Sequence, residues 1–263
     1  FATYYGGESL VIYASKAWSC MAVCRIIDSE GLGFDVVSGG ELYTTLEAGV
    51  SKDKIYFHGN NKSTAELELA VEAGCTIMVD NWLELKTVTQ IAADKSDETP
   101  RRRYAERYPL GQAQGNAHQE SSQPVPIMVR LTPGIECHTH EYIRTGHLDS
   151  KFGFDPNQLE EVFTYLAQQT SISCIGLHAH IGSQIFERQP HQDLAGVLVE
   201  WLKKAQGYGL PVTTLNVGGG LGICYTESDD PPSISEWVKA VSQAGEKACS
   251  EAGLPLPRLI AET

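Results

Sequence analysis

The chain of 263 residues contains no run of 18 apolar residues, so a membrane-spanning helix is not expected. Cations are in deficit: 20 Lys and Arg stand against 33 Asp and Glu, for a net charge of −13. A nucleic-acid surface needs clustered cations to replace phosphate counterions, which argues against nucleic acid as a partner. The single cationic run, Arg101-Arg102-Arg103, lies in a polar stretch and reads as solvated. None of the seven cysteines forms a CxxC pair, which suggests reduced thiols and a cytoplasmic protein. No signal-peptide pattern opens the chain, and no GK[ST] phosphate loop occurs in it. It starts at Phe1 without Met and stops at Thr263 inside an apolar run, so it reads as a piece of something longer.

What is present is a rhythm. Hydrophobic content of 42% and charged content of 20% are ordinary for a globular domain. Short apolar runs at 10–15, 34–38, 55–58, 76–80, 126–132, 174–181, 213–217 and 258–262 alternate with longer amphipathic segments near 19–30, 40–48, 63–73, 81–94, 156–169, 190–207 and 233–252. Ser63 and Glu66 have capping-box spacing, Asp155-Pro156 puts proline at a first helical position, and Gly74 and Gly253 sit where helices should stop. The alternation predicts an α/β fold of parallel strands covered by helices, a (β/α)8 TIM barrel cut off at strand 8 and so left unclosed, with an open doubly wound sheet as the alternative. Residues 96–124 break the rhythm and read as a polar surface insertion within a barrel domain spanning 1–263.

Barrel active sites lie at the carboxyl ends of the strands, and the unusual polar residues recur there. Lys16 ends strand 1, Asp35 and Ser38 flank the end of strand 2, and His58 ends strand 3. Asp80-Asn81 follow in strand 4, Arg130 in strand 5, His178 and His180 in strand 6, Asn216 and Gly218-Gly219-Gly220 in strand 7, and Glu262 in strand 8. Lys16, at the end of "VIYASKAW", is either a surfacing lysine or an amine held to condense with a carbonyl. "NVGGGLG" (216–222) suits a monophosphate, because glycines let backbone N–H groups approach an anion; Ile at 223 argues against a dinucleotide fingerprint. In "HAHIGSQ", His178 and His180 share a strand face. They could bind a metal with His58 and Asp80 recruited, though no complete ligand set is visible, or one imidazole could stack on a flat ring with Ser183 at its phosphate. A lysine, a glycine cradle, a stacking imidazole and a carboxylate together describe a pyridoxal 5'-phosphate site.

The motifs "YASKA", "FDVVSGGEL", "FHGNNKS", "VRLTPGIE", "HTHEYIRTGHLDSKFGF", "GLHAHIGSQIFE" and "LNVGGGLG" resemble the diaminopimelate decarboxylases. These belong to the alanine-racemase-like barrel group that also holds ornithine and arginine decarboxylases. The resemblance spans nearly the whole chain outside 96–124. It implies decarboxylation of meso-2,6-diaminopimelate to L-lysine, a homodimeric parent, and no metal. Lys16 would carry the cofactor, His180 would stack on its ring, and Ser183, Gly218, Gly219 and Gly220 would bind its phosphate. Glu262 would hold the ring nitrogen, while Asp35 and Arg130 would line the pocket. The motif's Arg after Glu262 and the family's C-terminal β domain are missing from the chain, so the fragment alone is expected to be inactive. A non-enzymatic pyridoxal-phosphate barrel is the alternative from another class.

Overall fold

The structure, a computed structural model, describes residues 1–94, 123–135, 151–227 and 229–263. The insertion expected at 96–124 lies outside the described residues except for Gln123 and Pro124. Eight strands follow one another in chain order: β1 (Ser9–Ala14), β2 (Gly33–Val36), β3 (Ile55–Phe57), β4 (Thr76–Val79), β5 (Val125–Arg130), β6 (Ile172–His178), β7 (Thr214–Asn216) and β8 (Arg258–Glu262). They form a closed barrel in sequence order, with parallel pairing. The expected unclosed eighth strand is therefore corrected. β8 pairs with β7, and its Leu259 N–H also donates to Glu8 O at 2.9 Å, so its polar backbone is used on both sides.

The helices among the described residues are α1 (Met21–Ser29), α2 (Gly39–Glu47), α3 (Thr64–Ala73), α4 (Trp82–Asp94), α5 (Leu159–Leu166), α6 (Gln189–Gly207) and α7 (Ile234–Ala252). Their ends follow local chemistry. Ser63 accepts from Glu66 N while the Glu66 carboxylate takes Ser63 N, and Ser233 with Glu236 repeats the arrangement at α7. Gly74 and Gly253 close α3 and α7 in the left-handed region, with φ of 72° and 70°. One expected helix is split. Pro156 opens a 3-10 turn, Pro156–Gln158, where Asp155 caps Asn157 N at 2.8 Å, and α5 begins only at Leu159.

Two compact units make up the chain. One comprises Ile12–Met128 and Gln168–Cys174. Its strands β2, β3 and β4 are buried along their whole length, and Phe34, Val36, Ile55, Phe57, Ile77 and Val79 are fully enclosed. Such continuous runs are what strands covered on both faces require. The other comprises Phe1–Val11, Val129–Ala167 and Ile175–Thr263. There, α6 packs against α7, and both helices carry buried aliphatics, among them Leu194, Leu198, Leu202, Val238 and Val241.

Beside these aliphatics lies a buried histidine. His191 on α6 is 1% exposed, its ring meets Trp237 of α7 edge-on at 5.4 Å, and neither ring nitrogen has a hydrogen-bond partner. Burial alone lowers its imidazole from 6.5 to about 4. The unfolded chain therefore takes up the proton first as pH falls, and stability present above pH 6.5 is lost on the way down to about 4. Denaturant melts at pH 7.5 and pH 5 should differ by about 2 kcal/mol more in the wild type than in His191→Leu. An equal difference in both would show that His191 is already protonated, or exposed, in the folded state.

Candidate functional site

Register between three neighbouring strands assembles the first part of the site. His178 pairs with Asn216, and Asn216 pairs with Ile260. Side chains two residues apart share a strand face, so Glu262 falls on the face that Asn216 and His178 occupy. Asn216 Nδ2 donates to Glu262 Oε1 at 3.0 Å, and His178 Nε2 stands 3.1 Å from the same oxygen. Asn216 and His178 are almost completely buried, and the Glu262 side chain is 12% exposed. A carboxylate held this way is fixed in direction and keeps its second oxygen, Oε2, on the side of His180, 4.0 Å from Nδ1.

The glycine turn follows directly. Gly218 N donates to Asn216 Oδ1 at 2.8 Å, Glu262 N donates to Gly218 O at 2.9 Å, and Gly219 N donates to His180 Nδ1 at 3.3 Å. Accepting that bond puts the neutral imidazole's proton on Nε2. β6 ends at His178, so His180 lies two residues beyond the strand rather than inside it. Gly218, with φ of 66°, turns the chain at the end of β7. A Cβ on Gly218 would come within 2.9 Å of Ala179 O, and one on Gly219 within 2.6 Å of Glu262 O. At Gly220, φ is 101° and a Cβ would strike the Gly182 carbonyl. The N–H groups of Gly220 and Leu221 donate to no acceptor among the described residues. Ser183 is exposed on the loop just after β6. N–H donors of this kind in a glycine-rich turn suit an anion. Arg130, the last residue of β5, is 8% exposed and its guanidinium carbon stands 4.4 Å from the Phe152 ring centre.

In the other unit, Lys16 lies in the turn after β1, exposed, with no hydrogen bond or ion pair among the described residues. Ser15 beside it is anchored by its N–H to Asp35 O at 2.9 Å. The Asp35 carboxylate is buried, 4.0 Å from His58 Nε2. Ser38 proves to be the cap of α2, accepting from Glu41 N, and Asn81 accepts from Glu84 N. These two residues do local work at helix starts, which the sequence reading took for part of the polar ring.

The comparisons with known proteins now bear on this geometry. The family described as "Pyridoxal-dependent decarboxylase, pyridoxal binding domain" matches residues 1–263. The chain belongs to this pyridoxal-dependent decarboxylase family. It is 60% identical to the diaminopimelate decarboxylase of Synechocystis sp. over 270 residues, which cover 100% of the chain and 52% of that protein. It is 37% identical to the Bacillus subtilis enzyme of the same name, covering 97% of the chain and 53% of that protein. Among solved structures, the Helicobacter pylori diaminopimelate decarboxylase complexed with L-lysine superposes with a TM-score of 0.82 at 26% identity, over 99% of the chain and 58% of that structure. The M. jannaschii enzyme, also in complex with L-lysine, gives 0.77 at 27% identity, over 98% and 54%. The chain thus spans about half the length of the curated relatives it matches.

A pyridoxal-dependent decarboxylase uses pyridoxal phosphate, and the residues present fit it. A phosphate suits the crowded glycine turn with its two undonated N–H groups, and a protonated pyridine nitrogen suits the fixed Glu262 carboxylate. The sequence reading placed His178 and Asn216 in the ring of polar residues at the strand ends but gave neither a role toward Glu262. Strand register could have flagged both, had the pairing been known.

It also missed Lys62. This residue is 1% exposed in its side chain and donates to Gly59 O at 2.7 Å, Met78 O at 2.8 Å and Glu84 Oε1 at 2.6 Å. Burial raises the Glu84 carboxyl above its ordinary value, while the Lys62 ammonium pulls it down. With all three protons used, the ammonium ties the loop after β3 to β4 and to the first turn of α4. Lys62→Met should lower the unfolding free energy by about 3–5 kcal/mol by stranding Glu84, and adding Glu84→Leu should restore much of that loss. A double variant no more stable than the single one, measured by denaturant titration, would show that the pair contributes more than it costs to bury.

Proposed function

We propose that the longer protein to which this barrel belongs is a diaminopimelate decarboxylase, converting meso-2,6-diaminopimelate to L-lysine and CO2. The observation that carries the reading is the Glu262 carboxylate, which accepts from Asn216 Nδ2 and lies 3.1 Å from His178 Nε2, beside the Gly218–Gly220 turn. The names of the Synechocystis and Bacillus subtilis relatives support the substrate.

The roles follow from each residue's chemistry. Lys16 supplies the amine for covalent attachment of the cofactor's aldehyde, and its side chain is exposed, with no hydrogen bond or ion pair among the described residues. Bound pyridoxal phosphate supplies a protonated ring that takes up the electron pair left at Cα when CO2 departs. Glu262 keeps that ring nitrogen protonated by offering a fixed negative charge. His180, oriented by Gly219 N–H, presents a flat neutral face for stacking. The N–H groups of Gly220 and Leu221, shaped by the Gly218–Gly219 turn, hold the phosphate with Ser183, and Asp35 and Arg130 line the pocket. Once CO2 has left, a proton would have to be returned to Cα, and Lys16 would be the amine that releases the product. A homodimer of the longer protein and a cytoplasmic location belong to the same reading; solution mass and cell fractionation check them.

The test uses the full-length protein. Borohydride reduction in the presence of pyridoxal phosphate should fix the cofactor covalently to the peptide containing Lys16, and Lys16→Ala should take up none. Glu262→Gln should release CO2 from meso-2,6-diaminopimelate about 10²–10³-fold more slowly, the scale of losing one fixed electrostatic partner. Cofactor trapped on another lysine would overturn the assignment of Lys16. CO2 released from ornithine or arginine but not from diaminopimelate would overturn the substrate.

A further inference from the structure

Gln184 is the one non-glycine residue with positive φ among the described residues, at 58°. That conformation is costly for a side chain with a Cβ, and such residues persist only where surrounding contacts enforce them. Here the contacts are visible. The Gln184 carboxamide spans from the loop after β6 to the loop after β7. Its Oε1 accepts from Ile223 N at 3.0 Å and its Nε2 donates to Ile223 O at 2.5 Å. Just beside it the main chains pair: Ile185 N donates to Gly220 O at 2.9 Å, and Gly222 N donates to Ile185 O at 3.0 Å. The side-chain amide therefore imitates a peptide group and adds a rung to a short parallel bridge.

The two loops meet without spare room. A Cβ on Gly220 would strike the Gly182 carbonyl, and one on Gly222 would strike the Phe186 ring. Gly182 itself has φ of 133°, so the first loop turns sharply just before Ser183. The loop beyond Gly222 is exposed at Ile223, Cys224 and Tyr225, where burial can do little to hold it. A polar clasp from Gln184 does that work, and it acts one residue past Ser183 on one side and three past Gly220 on the other.

We propose that Gln184 is a positioning residue for the phosphate cradle. Its carboxamide clasps Ile223 and holds the Gly218–Gly220 turn and the Ser183 loop in the shape that receives the cofactor's phosphate. The proposal rests on the reading of the site as a pyridoxal phosphate site. Gln184 touches neither the ring nor the reacting carbon, so its loss should act on phosphate affinity and spare the chemical step.

The experiment compares the full-length wild type with Gln184→Ala and Gln184→Gly. Apoenzyme is titrated with pyridoxal phosphate and, separately, with pyridoxal, which lacks the phosphate. Both variants should bind pyridoxal phosphate about 10–100-fold more weakly, as supporting partners of bound groups typically do, with pyridoxal affinity unchanged. Turnover at saturating cofactor should stay within about twofold of wild type. Equal weakening toward both compounds would overturn the proposal in favour of general loosening. Wild-type affinity in Gln184→Gly, which relieves the positive φ but removes the clasp, would overturn it too. Amide hydrogen exchange over 218–223 gives an independent readout: it should quicken in both variants, and unchanged exchange sinks the clasp. If the wild type binds neither compound, the functional reading fails while the exchange data still decide whether Gln184 holds the loop.

Discussion

One carboxylate oxygen organises the site. Glu262 Oε1 takes the Asn216 amide and faces the His178 imidazole, and all three residues come from adjacent parallel strands. A buried carboxylate is expensive unless donors compensate it. The register of β6 with β7 and of β7 with β8 supplies one such donor, the Asn216 amide, and brings the His178 imidazole to 3.1 Å. Slipping any of these strands by one residue would send His178, Asn216 or Glu262 to the opposite face. The same ladder sets the glycine turn, because Glu262 N–H holds Gly218 O and Asn216 Oδ1 holds Gly218 N–H.

The electrostatics of the site are local. A chain with a net charge of −13 repels an anion from a distance. A phosphate must therefore be met by groups that carry positive potential without contributing much formal charge. Backbone N–H groups do this, and the crowding around Gly218, Gly219 and Gly220 shows why no other residue type serves there. The strain at Gln184 and the positive φ of Gly182, Gly218 and Gly220 sit in the same two loops. Hydrogen bonds between these two loops accompany that backbone geometry.

The other unit solves a different problem with a full cation. Lys62 spends its three protons on two carbonyls and one carboxylate at the ends of β3, β4 and the start of α4. Such a centre adds little net stability, but it is intolerant of error, since removing either partner strands a buried charge. It stiffens the segment that begins with His58, next to the Asp35 carboxylate. Lys16, by contrast, has an exposed side chain next to Ser15, whose N–H is anchored to Asp35 O.

By itself the sequence determined the alternation of strands and helices, the capping boxes at Ser63 and Ser233, the stops at Gly74 and Gly253, and the recurrence of polar residues at strand ends. These are short-range matters, set by apolar periodicity and by side chains that bond to their own backbone a few residues away. The motif resemblance added the family and the candidate roles of Lys16, His180 and Glu262. What only the tertiary structure decided was partnership. That His178 and Asn216 meet Glu262, that Lys62 meets Glu84 and that Gln184 clasps Ile223 all depend on strand register and on loop contacts between residues up to 84 apart in the chain. Such pairings are chosen by the requirement that every buried polar group find a donor or acceptor, and that requirement acts only once the chain has folded.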